Sequence, residues 1–131
     1  MVEITNQELI KKAKEIVKVC KLSEFVTIGY VGCALVTKDG KVYLGVSIDA
    51  CCGIGFCAEH SAISSMVLDQ KYKIKKIVAV NWEGKVIPPC GRCRELMYQI
   101  SEDNCETEIL VDDNKVVKLK ELLPDPWQKK I

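Results

Sequence analysis

Two cysteine-bearing stretches constrain this chain more than anything else in it: Phe56-Cys57-Ala58-Glu59-His60 and Pro88-Pro89-Cys90-Gly91-Arg92-Cys93-Arg94-Glu95. Cys90 and Cys93 have the two-residue gap that lets one turn clasp a metal with both sulfurs. Cys57 supplies a third thiol, so a shared metal requires the fold to join segments about thirty residues apart. Zinc takes Cys thiolates, and a catalytic zinc keeps one of its four tetrahedral positions open for water. Glu59, two residues past Cys57, is too close to be a fourth ligand and well placed to handle protons beside the metal. The same residues allow a closed site with Cys51 or Cys52 as a fourth sulfur, which would make a zinc-stabilised binding module without turnover. A lone Cys-x-x-Cys, or a lone glutamate in a first helical turn, would say little. Their combination is specific.

The pairing resembles the zinc-dependent cytidine deaminase superfamily, whose signature is His or Cys, then x-Glu, then Pro-Cys-x-x-Cys. Cys in the first position is similar to the free-nucleoside branch, the small homotetrameric cytidine deaminases and blasticidin S deaminase, rather than to polynucleotide editors. The run from Gly32 to Tyr43 resembles the first hairpin of cytidine deaminases, and Glu121-Leu122-Leu123-Pro124 resembles the tail of the same group. The likeness runs from Val31 to Trp127.

The resemblance implies a three-layer α/β/α sandwich with a mixed five-stranded sheet and zinc held between the starts of two helices. It implies one zinc per chain on Cys57, Cys90 and Cys93, with Glu59 as the proton carrier. The reaction would replace the ring amine of a cytosine nucleoside, cytidine or deoxycytidine, by oxygen with release of ammonia. Zinc suits it by lowering the pKa of water to about 7. Ser47 and Asp49 fall where the family has an Asn-x-Glu that holds the ribose, and Ala58 adjoins them as a substrate contact. The family's aromatic residue against the pyrimidine falls at Gly29, and its usual Arg after the glutamate is His60 here. Blasticidin S deaminase shares Cys-Gly-Arg-Cys-Arg, so a blasticidin-like or otherwise modified cytosine nucleoside is the alternative substrate. Three thiolates leave zinc with an excess negative charge, and the Arg92 guanidinium is expected to donate hydrogen bonds to them. A homotetramer is also implied.

Charge and length narrow the partners. Nineteen basic and 18 acidic residues give a formal net charge of +1, which offers no electrostatic case for nucleic acid or an anionic membrane. The chain reads as one domain, 1–131, without an apolar leader or membrane span, and therefore as cytoplasmic. In that compartment its eight cysteines are metal ligands or small apolar residues rather than disulfides. Cys20 and Cys33 fall on apolar faces and are expected in the core.

Thr5 reads as the N-cap of a first helix, with Glu8 completing a capping box and Leu9, Ile10, Ala13, Ile16, Val17 and Cys20 at helical spacing. Val26 to Thr37 and Val42 to Ile48 are strands around an Asp39-Gly40 turn. An irregular loop, Asp49 to Phe56, leads into a helix from Cys57 to Asp69 with Ala58, Ala62, Ile63, Met66 and Val67 inward. Lys75 to Asn81 is a buried strand, Trp82 to Pro89 a loop, Cys90 to Ser101 a helix, and Glu106 to Asp112 and Lys115 to Leu119 the last two strands.

Overall fold

The computed structural model describes residues 3–130. Thr5 opens α1 (Asn6–Glu15): its Oγ1 accepts from the Glu8 amide at 3.1 Å, the N-cap half of the expected capping box, while among the described residues the return bond from the Glu8 side chain is not formed. Leu9, Ile10 and Ala13 are buried, so this helix lies on the sheet by one stripe. It ends at Ile16, one turn earlier than the periodicity suggests. The chain is then drawn into β1 (Cys20–Lys21), which pairs with Ile28 and Thr27 of the next strand. Cys20 is consequently exposed rather than in the core, whereas Cys33 is buried as expected.

The sheet grows from β2 (Val26–Thr37), which pairs antiparallel with β3 (Val42–Ala50) on one side and with β4 (Ile74–Asn81) on the other. Gly40, at φ 90°, turns the β2–β3 hairpin. β4 pairs parallel with β6 (Glu108–Asp112), which pairs antiparallel with β7 (Lys115–Lys118). These are the five strands read from the sequence, in a mixed sheet. Two two-residue pieces are added, β1 and β5 (Val86–Ile87). The stretch read as a loop from Trp82 to Pro89 is thus partly a hairpin: Gly84, at φ 78°, reverses the chain and β5 returns along Ala79 and Val80.

Alternation along β2 divides the core between the two faces. Cys33 and Leu35 face α2 (Ala58–Leu68) and α3 (Gly91–Ile100), packing with Ala62, Ile63, Met66 and Met97. Ala34 and Val36 face α1, with Leu9, Ile10, Val78 and Val80. The result is the α/β/α sandwich. Val67 leaves the expected stripe and is exposed, because α2 rests on β3 along its Ala58–Ala62–Ile63–Met66 side. Gly45 sets how close that contact is, since a Cβ there would collide with Ala62 N and Ala58 O. The last α-helix among the described residues, the single turn α4 (Leu119–Leu122), buries Leu119 against the same face. None of the helices among the described residues is long and apolar enough to cross a membrane.

Candidate metal centre and active site

Both cysteine stretches end up at helix starts. Cys57 is the N-cap of α2 and Cys90 the N-cap of α3, with Cys93 one turn further on and buried. Each is delivered by a strand. Phe56 pairs with Ile48 of β3 through two backbone hydrogen bonds of 2.9 and 3.0 Å, which fixes Cys57 beside Ser47 and Asp49. β5, pinned to β4, hands the chain through Pro88 and Pro89 to Cys90. Cys57 Sγ lies 3.4 Å from Cys90 Sγ, and Cys90 Sγ lies 3.6 Å from Cys93 Sγ. Ligands at the zinc–sulfur distance of about 2.3 Å on a tetrahedron sit about 3.8 Å apart, so the three sulfurs fit one zinc with little rearrangement. Cys51 and Cys52, both exposed, are not members of this cluster. The closed four-sulfur arrangement is therefore not formed.

Local electrostatics distinguish the three thiols. Burial, with Cys90 close by, pushes the Cys57 thiol up to about 11. Burial and the neighbouring Glu59 carboxylate push Cys93 far above the usual thiol range. Burial acts against ionisation of Cys90 too, but the Cys93 amide, the Cys57 thiol and the Arg92 amide outweigh it, and its pKa falls. Cys90 is thus the sulfur on which charge settles first, at the mouth of a helix whose amides point toward it. A divalent cation would draw the protons from the other two, because binding and deprotonation are coupled.

Glu59, in the first turn of α2, is 5% exposed. Burial raises the pKa of its carboxyl, while its own backbone amide and the Cys93 thiol pull it back down. The carboxyl therefore lies against the sulfur cluster rather than on the surface. His60 is the neighbour whose part the sequence leaves open: its Nδ1 lies 3.4 Å from Cys93 Sγ. Burial, and then the positive charge of Arg92, lower its pKa, so the imidazole favours its neutral form. Arg92 departs from expectation. It is exposed on the cleft rim, and none of the hydrogen bonds to the three sulfurs comes from its guanidinium. The backbone amides of Cys93 and Arg92, rather than the guanidinium, favour charge on the Cys90 sulfur.

The cluster opens into a cleft of about 780 Å³, within the usual range for a small-molecule site. Glu59, Cys57 and Cys90 line it, together with Ser47, Asp49 and Ala58. Ser47 is buried, and its Oγ accepts from the Val31 amide at 3.0 Å, filling the gap that a bulge between Ile28 and Gly32 leaves in the β2–β3 ladder. Asp49 is exposed and Ala58 is fully buried at the start of α2. Sequence reasoning missed Tyr30, Trp82 and Ile87, which also line the cleft. No motif marks them, and they meet through the β2–β4 and β4–β5 pairings.

Residues 4–107 match the family model for the cytidine and deoxycytidylate deaminase zinc-binding region. The chain belongs to this deaminase family. It is 32% identical over 97 residues to a cytidine deaminase of Halalkalibacterium halodurans, covering 72% of this chain and 74% of the relative. It is 36% identical over 107 residues to a blasticidin-S deaminase of Bacillus cereus, with 72% and 74% coverage. Among solved structures it is similar to a cytidine deaminase from Burkholderia pseudomallei, at a TM-score of 0.75 and 30% identity over 94% of this chain and 99% of that one. A cytidine deaminase from Mycobacterium leprae gives a TM-score of 0.77 at 28% identity, over 94% and 100% of the two chains. The deaminase family carries zinc at this region, and Cys57, Cys90 and Cys93 are the group able to hold a metal ion.

Proposed function

We propose that this deaminase-family chain hydrolyses the exocyclic amine of a cytosine nucleoside, cytidine or deoxycytidine, giving the uracil nucleoside and ammonia. The observation that carries the reading is a buried carboxyl, Glu59, set against three sulfurs at metal-binding spacing on the wall of a nucleoside-sized cleft. Cys57, Cys90 and Cys93 would hold one zinc per chain, and zinc when bound supplies a Lewis acid that brings water within reach of ionisation at neutral pH.

The rest of the chemistry falls to the chain itself. Glu59 takes a proton from the attacking water and passes it to ring N3, which makes C4 electrophilic. It then relays the second water proton to the departing nitrogen, so that water and substrate yield product and ammonia in balance. One carboxyl serves all these transfers because they are sequential, and its raised pKa suits a group that must both hold and release a proton. Ser47 already accepts from Val31, which leaves its O–H free to donate to a sugar hydroxyl. Asp49 accepts from a sugar hydroxyl, and the small side chain of Ala58 lets the ring approach the start of α2. Arg92 adds positive charge at the rim, opposing the negative charge of a three-thiolate site.

Ammonia release measured over cytosine, cytidine, deoxycytidine, their phosphates and blasticidin S tests the activity. Turnover of a cytosine nucleoside is expected, and a zinc-loaded protein inert toward all of them would leave a binding module. Glu59→Gln should keep zinc and fold yet lose about 10²–10⁴-fold in rate; near-normal turnover would remove Glu59 from the mechanism. A blasticidin-like substrate is the second reading, favoured by the identity to the blasticidin-S deaminase. The reading includes a cytoplasmic setting, where the eight free cysteines stay reduced. It also includes a homotetramer, supported by the uncharged outer face of α2, where Ser64, Ser65, Val67 and Leu68 are exposed.

A further inference from the structure

Trp82 is 59% exposed, although nothing in the hairpin that carries it calls for an indole. The hairpin is otherwise tightly made. The Asn81 side chain accepts from the amides of Glu83 and Lys85, each at 3.0 Å, and Gly84 supplies the positive φ of the turn. Trp82 is therefore held at a fixed point rather than on a loose loop.

Its one aromatic neighbour is set by strand register. Val31 of β2 is opposite Asn81 of β4, which leaves Tyr30 opposite Trp82 where the ladder ends. The two rings meet edge to face, with centroids 5.8 Å apart and planes at 85°, the geometry that aromatic quadrupoles favour. Tyr30 is half-buried, so it buttresses the indole and leaves much of it uncovered. Both residues line the same cleft as Glu59 and Cys57. The wall they form stands on the Ser47 side, since Val31, next to Tyr30, is the residue whose amide Ser47 Oγ holds.

We propose that Trp82, braced by Tyr30, is a substrate-positioning wall that packs against the sugar-bearing side of the nucleoside and is covered when the nucleoside binds. This rests on the nucleoside reading above. Glu59 and the thiols fix where the amine must lie, and Ser47 and Asp49 offer polar contacts in the same cleft. Between those contacts the sugar still has an apolar face to bury, and an indole offers a large, rigid surface at little entropic cost. Trp82 makes no contact with the reacting atoms in this arrangement. It therefore affects binding and orientation rather than the proton transfers.

The test uses the zinc-loaded chain, and its arms separate this proposal from the activity itself. Wild-type ammonia release from cytidine reports the activity without reference to Trp82. Trp82→Leu should raise KM for cytidine about tenfold, the usual order for one lost aromatic contact, and change kcat less than about twofold. Trp82→Phe should restore most of the affinity. Uridine titrated into the wild type should alter tryptophan emission without any turnover. That response should vanish in Trp82→Leu, which keeps Trp127 as the other of the chain's 2 tryptophans. The proposal is overturned if Trp82→Leu leaves KM unchanged, or if the uridine-dependent emission change survives the substitution. A loss confined to kcat would overturn it as well, because a wall outside the reacting atoms does not act there.

Discussion

His60 shows how one side chain gains a role from where its helix begins. It follows Glu59 on α2, and the turn that buries the glutamate carries its Nδ1 to 3.4 Å from Cys93 Sγ on α3. With Cys93 as a thiolate, the ring N–H donates to the sulfur and spreads part of its charge. Groups that hydrogen-bond to metal ligands fix ligand orientation and tune metal affinity by about 10–100-fold. His60→Ala should accordingly weaken zinc retention by about tenfold in competition with a chelator while leaving the fold intact. Unchanged zinc affinity would make His60 a bystander. Arg92 is the counter-case: its place between the cysteines was readable from the sequence, but the direction of a long, flexible side chain was not.

The elements that carry the site are locked together by a few buried groups, of which Asn104 is the most connected. It is fully buried in the short 3-10 turn Glu102–Glu106. Its Oδ1 accepts from the Ile74 amide at 2.9 Å, and its Nδ2 donates to the carbonyls of Tyr72 and Met97 at 3.0 and 2.9 Å. One amide thereby joins the start of β4, the C-terminal half of α3 and the approach to β6. Asn104→Ala would orphan one buried N–H and two carbonyls, and should destabilise the protein by about 3 kcal/mol or more. Chemical denaturation measures it, and a cost under about 1 kcal/mol would show that water replaces the amide. Gly45 plays the matching part on the other side of the site. Its missing side chain lets α2 lie close on β3, which keeps Cys57 and Glu59 beside Ser47 and Asp49.

At the scale of the whole molecule, charge and apolar surface set behaviour in solution. Lys71, with help from Thr37, holds the Asp39 carboxyl down at about 2. Lys120 and Lys118 hold Glu106 at about 2 in the same way. Both carboxyls are depressed below their ordinary range near 4, so the stability they lend is fully present above about pH 4. It should be lost as the pH falls through the folded values toward 2. Thermal unfolding of the metal-free protein, where zinc release plays no part, should therefore show a falling midpoint over that window. The fall should be shallower in Glu106→Gln. An identical acid slope in that variant would mean that the pair adds nothing. The uncharged face of α2 leads to a second expectation. Leu68 is 83% exposed, and Leu68→Asp should convert a tetramer into smaller species in sedimentation. A wild-type chain that sediments as an active monomer would reject the assembly.

The sequence alone determined the five main strands, the order of the main elements and the identity of the metal-binding group. Alternating and helical hydrophobic patterns are local, and Cys57, Glu59, Cys90 and Cys93 form a motif dense enough to read without a fold. It also marked Thr5 as a cap and Asp39-Gly40 as a turn, because both depend on residues within one turn of chain. Tertiary structure decided what depends on partners distant in the chain. Register put Tyr30 opposite Trp82, and sheet edge pairing pulled Cys20 out of the core. The fold set backbone amides, rather than the Arg92 guanidinium, to favour charge on Cys90. The helix crossing over Gly45 fixed the depth at which Glu59 is buried. Burial and ring-to-ring contact are properties of surfaces brought together, and no single stretch of sequence contains both surfaces.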